Sequence, residues 1–345
     1  VRGDMILTQN DQDVIILKSD GLPTYHFAHI VDDHFMHTTI VTRGEEWISS
    51  LPIHLEMFFT LGWKAPRYAH LPVIMKMDCG VRRKLSKRKD PEASVDYFLK
   101  EGYEPETLLV YLMTIANSNF EDYVVTNKDY SIRNFKFSLK KMSLDGALFD
   151  INKLNFFGKE MLAKMDKRTI AEKSYAWAKK FSFELKAFIE EDPNRYEEIL
   201  NIEREKKNPR KDYAKYSDIY DNIRFFSRDE YMKIISAGIP RNPSIPLDIV
   251  KKFLTTYKDQ FDLLNSEGER FEAVKTIAEK FGFDPDNKDY ATNHGSWIGS
   301  IDEACEIIRL VAVGRNISPN LYSILKIMGK EEFLNRVDIC LKTIE

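Results

Sequence analysis

The chain has 345 residues, 43% apolar and 30% charged, with a formal net charge of −3. Single hydrophobic cores stop growing at roughly 250–300 residues, so more than one domain is expected, and the composition excludes intrinsic disorder. A sum this near to neutral excludes a wholesale polyanion binder but leaves room for one basic surface.

The first eighty residues have a mixed α/β texture. The β-branched runs Val14-Ile15-Ile16-Leu17 and Thr38-Thr39-Ile40-Val41 predict strands, and Asp20-Gly21 ahead of Pro23 predicts a turn, because Gly accepts positive φ and Pro fixes its own. Ile53, Leu55, Phe58 and Phe59 predict an amphipathic helix over 52–61 that Gly62 ends. His70-Leu71-Pro72-Val73-Ile74 predicts a buried strand. Arg82-Arg83-Lys84-Leu85-Ser86-Lys87-Arg88-Lys89 then places six cations in eight residues, and Asp90-Pro91 ends the run. Beyond it the texture is mostly helical, at 95–99, 105–116, 245–264 and 301–313. Residues 135–142 alternate only in part and predict a half-buried helix or strand. Linkers are expected at 143–147, at 208–212, and at 238–246, where Gly238, Pro240, Pro243 and Pro246 cluster.

Cys79, Cys305 and Cys340 are far apart, odd in number and without C-x-x-C spacing, which excludes a disulfide framework and fits a cytoplasmic setting. No apolar stretch approaches the ~18–20 residues of a membrane helix, so no membrane partner is expected. Val1 opens on a hydrophilic passage that reads as mid-domain sequence, so an N-terminal truncation is expected.

Taken alone, a cationic run is most often a solvated surface. Ser86 between Lys84 and Lys87 adds a second reading: two ammonium groups, a hydroxyl and backbone N–H groups can surround a polyphosphate and offset charge as pyrophosphate departs. The loop is not a Walker loop, since no G-x-x-x-x-G-K-[ST] occurs. His26, His29, His34 and His37 form two H-x-x-H pairs, but closed zinc needs four convergent ligands and no structural metal is expected. Residues 203–212 mix signs and read by default as a solvated helix end.

Lys84-Leu85-Ser86-Lys87-Arg88 resembles the KMSKS signature of class I aminoacyl-tRNA synthetases, in the K-[LI]-S-K-R form of the glutamyl and glutaminyl enzymes. The blocks Leu17-Lys18-Ser19-Asp20-Gly21-Leu22-Pro23-Thr24-Tyr25-His26-Phe27-Ala28, Val31-Asp32-Asp33-His34, Arg43-Gly44-Glu45-Glu46-Trp47 and His70-Leu71-Pro72 are similar in order and spacing to bacterial-type glutamyl-tRNA synthetases. The resemblance is dense over the first ninety residues, thinner through Phe157 and loose thereafter.

It implies a multidomain chain, an α/β remnant of a Rossmann-type catalytic domain followed by mostly α-helical stem-contact and anticodon-binding domains. Residues 1–80 would be the second half of the catalytic domain with the tail of its acceptor-binding insertion, and 81–157 the KMSKS loop and stem-contact domain. Residues 158–240 and 241–345 would be two parts of a helical anticodon-binding domain.

The implied reaction activates L-glutamate with ATP and Mg2+ and transfers it to glutamate tRNA, with glutamine tRNA left open as a second acceptor. A cytoplasmic monomer is expected. By the resemblance Lys84, Ser86 and Lys87 are catalytic; Trp47, Lys84, Lys87 and Arg88 bind ATP; Tyr25, His29 and Arg43 bind glutamate; Arg210, Arg309 and Arg315 bind tRNA. The plain alternatives are packing for Trp47 and a salt bridge to Glu45 or Glu46 for Arg43. His29 departs from the Asn that many members carry.

No H-[IVL]-G-H block, the family's HIGH signature, occurs in the chain. The polypeptide alone is therefore expected to lack adenylation, to have a mobile basic loop, and to survive as a tRNA-binding module. A glutaminyl-tRNA synthetase fragment is the alternative, but that enzyme ends in β-barrels and the second half of this chain reads as helical.

Overall fold

The structure, a computed structural model, describes all residues except 128–129, 239–241, 264–265, 288–289, 291–296 and 344–345. It divides into one unit of Val1–Leu99 with Tyr103–Phe157 and a second of Lys100–Gly102 with Gly158–Glu345.

In the first unit the run at 14–17 forms no strand. Only Leu17 bridges Pro23, across a turn in which Gly21 has φ 82°, and Ile15 and Leu17 stay exposed. β-Branched residues favour extended backbone but need a partner edge to make a ladder. Thr24 ties this segment to helix α1 (Tyr25–Phe35), donating its amide to the Ile16 carbonyl (2.8 Å) and its hydroxyl to that of Ile15 (2.9 Å).

Strand β1 (Ile40–Gly44) leads through a 3-10 turn (Glu45–Ser50) into α2 (Leu51–Thr60), where Pro52 occupies the first turn and forfeits no helical bond. Gly62 ends the helix as predicted: at φ 69° its amide and that of Trp63 donate to the Phe59 and Phe58 carbonyls, the Schellman arrangement. The buried face differs from the predicted one, being Leu51, His54 and Phe58, while Leu55 is exposed and Phe59 is 85% exposed. Strand β2 (Arg67–Leu71) lies parallel to β1, from Ile40 opposite Arg67 to Gly44 opposite Leu71. The strand predicted at 70–74 thus starts earlier and stops before Pro72, which has no amide to give a ladder.

The basic run, predicted as a loop, begins as a strand. β3 (Met75–Asp78) and β4 (Val81–Lys84) form a hairpin closed by Cys79 and Gly80, at φ 48° and 81°. Two successive positive φ angles belong to the turn whose twist suits paired strands. Met75 is flanked on its other side by residues 147–149, through bonds to the Ala147 carbonyl and the Phe149 amide, both 2.8 Å. Helices α3 (Val95–Glu101), α4 (Pro105–Ala116) and α5 (Phe120–Thr126) follow. Residues 135–142 form neither α-helix nor strand; their regular part is a 3-10 turn, Leu139–Lys141.

The second unit is helical, from the second half of α6 (Ile151–Lys164) through α7 (Lys167–Phe181), α8 (Phe183–Glu191), α9 (Pro193–Asn201), α10 (Ser217–Ile223) and α11 (Arg228–Ser236). It continues with α12 (Leu247–Gln260), α13 (Glu267–Lys280), the two-residue strands β5 (Phe283–Asp284) and β6 (Gly299–Ser300), α14 (Ile301–Val313), α15 (Leu321–Met328) and α16 (Lys330–Thr343). Of the predicted linker and helix ends, Pro240 and Leu264 lie outside the described residues. Helix α14 matches its predicted span because both ends are signalled: Ser300 and Glu303 form a capping box, and Gly314 closes it at φ 73°. Its inner face meets Phe253, Leu325 and Phe333 in one core.

Gly158 in α6 shows how closely these helices pack, since a Cβ there would lie 2.1 Å from the Ala214 carbonyl oxygen. A backbone oxygen cannot swing away, so Gly158→Ala is expected to destabilise the fold by about 1–3 kcal/mol through overpacking, read as a lower urea midpoint. Gly268→Ala in α13, where a Cβ meets open space, is expected to hold or raise it, as alanine is the better helix former. Equal effects from the two variants would contradict the packing described.

Candidate functional site

Within the first unit the start of α1, the end of β1, the 3-10 turn, α2 and β2 bring together Tyr25, His26, His29, Arg43, Trp47, His54, Tyr68 and His70. The Tyr25 and Trp47 rings lie 4.5 Å apart, and Tyr25 stacks on His29 at 5.8 Å. Arg43 is half-buried. It donates from Nε to His70 Nε2 (3.1 Å), from Nη1 to His54 Nδ1 (3.1 Å) and from Nη2 to the Trp47 carbonyl (3.3 Å), with its Cζ 4.8 Å from the Tyr68 ring centre.

Arginine can only donate, which fixes the imidazoles as acceptors at those nitrogens. His54 must then carry its proton on Nε2 and give it to His26 Nδ1, 3.0 Å away. Burial first, and then the Arg43 charge, pushes the His54 pKa down to about 3. His70 is lowered for the same reasons in the same order. His29 is also lowered, by burial against the opposing pull of Asp33, which its Nδ1 meets directly. Burial raises Tyr68 to about 12, so its phenol keeps its proton and can donate to His29 Nε2 at 3.1 Å.

Tyr25, His29 and Arg43 thus share one side-chain cluster with Trp47. The salt-bridge alternative for Arg43 is not what forms: Glu45 pairs with Arg2, Glu46 pairs with Lys84, and Arg43 has no ion pair among the described residues. The sequence reading missed His54, Tyr68 and His70 as pocket members. His54 stands on the buried face of α2 at helical spacing, where a single histidine looks like core.

Lys84 closes β4 with its Nζ 2.9 Å from Glu46 Oε1, beside Trp47 in sequence. The loop after it turns around Asp90, a carboxylate only 2% exposed that sequence reading treated as the end of the run. Asp90 accepts two bonds from the Arg83 guanidinium (2.7 and 2.8 Å), one from the Ser86 amide (2.8 Å), and meets Lys76 Nζ at 3.3 Å. The Arg83 hydrogen bonds, foremost, hold its pKa well below the carboxylate range, and Arg83 is raised in return. The Ser86 carbonyl accepts from the Lys89 and Asp90 amides. The loop expected to be mobile is therefore tied at Ser86 and Asp90, with Lys87 and Arg88 exposed.

In the second unit Arg210 and Arg309 line one cleft of about 570 Å³, together with Arg270, Phe271, Asn320 and Tyr322. Arg210 Nε lies 2.7–2.8 Å from both Asp212 oxygens. Arg270, missed in the sequence, is 7% exposed, with its guanidinium 4.7 Å from the Tyr322 ring centre and 5.1 Å from that of Phe261. Arg315 stands outside the cleft and donates to the Asp221 carbonyl at 2.5 Å. The H-x-x-H histidines separate: His26 and His29 join the pocket, His34 stacks on Trp63 at 3.9 Å, and His37 follows α1 at φ 53°. Among the described residues no group of three or more His, Cys, Asp or Glu is placed to hold a metal.

Asp90→Asn keeps the shape but removes the charge that gathers Arg83 and Lys76, so tryptic cleavage at Lys87 and Arg88 is expected to become several-fold faster; an unchanged rate would show that the carboxylate does not hold the loop. The His54 shift gives a second expectation. Folded His54 stays neutral to about 3 whereas the unfolded ring takes a proton below 6.5, so its stabilisation is complete above pH 6.5 and falls as pH drops toward 3. The thermal midpoint should decline across that window and decline less steeply in His54→Gln.

Residues 1–156 match the family model for the catalytic domain of class I tRNA synthetases (E and Q), and residues 180–341 match an anticodon binding domain. The chain is 43% identical to a glutamate-tRNA ligase of Acetivibrio thermocellus over 337 residues and 40% identical to one of Clostridium beijerinckii over 339. Each alignment covers 98% of this chain but 61% of the relative, so the chain spans about three fifths of these proteins. A crystal structure of a glutamate tRNA ligase from Elizabethkingia meningosepticum in complex with its amino acid shares the fold, at TM-score 0.64 and 23% identity over 96% of this chain and 62% of that one. Two domain matches in chain order and identities near 40% along nearly its whole length agree: the chain is a homologue of glutamate-tRNA ligases, with matches to a class I (E and Q) catalytic domain and to an anticodon binding domain.

Proposed function

We propose that this chain supplies the carboxylate-binding, pyrophosphate-binding and tRNA-binding parts of a glutamate-tRNA ligase, and that the 345-residue polypeptide alone binds tRNA without forming adenylate. Arg43 is the observation that carries the reading. Its guanidinium is positioned by neutral acceptors, faces aromatic rings and lacks a counter-ion among the described residues. The side-chain carboxylate of glutamate supplies the missing charge, and a planar fork suits it bidentately. Tyr25 and Trp47 wall the same pocket, with Trp47 offering a face to the adenosine.

ATP, with Mg2+ as its counter-ion, is the co-substrate, and in-line displacement at its α-phosphate needs positioning and charge stabilisation more than covalent help. Lys84 and Lys87 would supply that charge to departing pyrophosphate. Lys84 has first to exchange Glu46 for phosphate, and both groups are about half exposed, so the exchange is cheap. Ser86 gives its amide to Asp90 and so shapes the loop, leaving exposed Arg88 for the nucleotide.

The helical unit supports the tRNA part. Arg210 and Arg309 share a cleft with aromatic rings, which suits a splayed base of a single-stranded loop; Arg315 lies outside it. Helices where the glutaminyl enzymes carry β-barrels favour the glutamyl reading.

Glutamate-dependent ATP-pyrophosphate exchange by the purified chain is expected to be absent, because no H-[IVL]-G-H block is present; exchange above background would overturn the incomplete-site reading. In filter binding, glutamate tRNA should be preferred over unrelated tRNA, with glutamine tRNA as the informative competitor. Arg210→Ala and Arg309→Ala should each weaken binding, and equal affinity for all tRNAs would count against the proposal.

A further inference from the structure

An arginine that receives a carboxylate has to be held in place without being neutralised. A carboxylate neighbour would orient it well but would leave a pair with no net charge to offer. An apolar neighbour would leave buried N–H groups without acceptors. A neutral acceptor, such as an unprotonated imidazole or a carbonyl, is the remaining solution.

Arg43 meets His54 Nδ1 and His70 Nε2 at 3.1 Å and the Trp47 carbonyl at 3.3 Å, and none of these carries negative charge. The acidic side chains around it are engaged elsewhere: Asp33 with His29, Glu45 with Arg2, Glu46 with Lys84. His54 is fully buried, and its ring centre lies 4.8 Å from that of His29, 5.2 Å from that of His26 and 6.2 Å from that of Tyr25. It is therefore the side chain about which the proposed glutamate ligands are arranged.

We propose that His54 is a specificity-determining positioning residue: as a neutral acceptor it fixes Arg43 and leaves the guanidinium charge to the ligand, so that the pocket selects a carboxylate over the isosteric carboxamide. This rests on the reading of Arg43 as the glutamate-binding arginine. Enclosure away from water keeps the imidazole unprotonated through the neutral range, so the acceptor persists where the protein works. His70 supports the other edge of the fork. His54 differs in also passing its own proton to His26, which locks the tautomer.

The test measures dissociation constants of L-glutamate and L-glutamine for the 345-residue chain by calorimetry, in wild type, His54→Gln and His54→Asp. Wild type should prefer glutamate. His54→Gln, a neutral acceptor, should keep that preference within about threefold, whereas His54→Asp should reduce it about tenfold or more, mainly through loss of glutamate. Equal loss in both variants would mean a merely structural role and overturn the proposal. Should wild type hold neither amino acid, the glutamate reading of Arg43 in this chain fails on its own. The long-range 1H–15N spectrum of wild-type His54 then decides the present inference independently of any variant's folding. A neutral ring with bare Nδ1 between pH 6 and 8 is expected, and a protonated Nδ1 would overturn it.

Discussion

Asp90 is a carboxylate almost out of reach of water, and such a charge stays ionised only if donors surround it. Its donors come from three places in the sequence, Lys76 in β3, Arg83 in β4 and the Ser86 amide in the loop. Satisfying one anion therefore fixes the hairpin against the loop and the loop against the 3-10 turn at Pro91–Ala93 that starts just after it. This constraint sorts the six cations of the basic run. Arg83 is committed to Asp78 and Asp90, Arg82 to the Gly146 carbonyl and Lys84 to Glu46, while Lys87, Arg88 and Lys89 are exposed.

The pocket behind the loop is built on the opposite logic. There the charge is a cation, Arg43, and the structure withholds an anion from it. Half-burial without a counter-ion is unfavourable, and such local costs persist where function requires them. Lys84 and Glu46 connect the two arrangements, since Glu46 belongs to the same short turn as Trp47. In the proposed reading, a polyphosphate that drew Lys84 away would free Glu46 one residue from Trp47, which would make nucleotide and amino-acid binding electrostatically adjacent.

How much of this the sequence displays depends on whether the determinants are local. Helix α14 is readable because its capping box and terminal glycine lie inside the element, and the end of α2 at Gly62 is readable for the same reason. The run at 14–17 misleads because strand formation needs a partner edge that no local pattern reveals. β4 is concealed by its charges: Arg82 and Arg83 look like loop, yet the Cys79-Gly80 turn and the pairing with β3 extend them. The site divides in the same way. The loop lysines, Tyr25 and Arg43 were legible through a motif resemblance, whereas His54 and Asp90 matter only through partners distant in the chain or enclosed by the fold.

Four buried or half-buried arginines among the described residues separate into two kinds. Arg336 is fully buried, bonded to Glu332 and to the Ala312 carbonyl, and stacked 3.9 Å over Tyr231; its charge is compensated and it joins helices. Arg204 pairs with no carboxylate among the described residues, but its donors are taken by the Leu162, Met165 and Leu200 carbonyls, so it too is a structural tie. Arg43 and Arg270 differ from both. Each has aromatic rings beside it and no ion pair among the described residues; Arg43 stands in the cluster with Tyr25 and Trp47, and Arg270 lines the cleft with Arg210 and Arg309. Cation-π contact stabilises a guanidinium by about 0.5–2 kcal/mol, enough to hold it in place and too little to cancel its charge. A net charge of −3 is compatible with local cationic groups, and the second cleft is of mixed sign, since Glu203, Glu267 and Asp302 line it beside Arg210, Arg270 and Arg309.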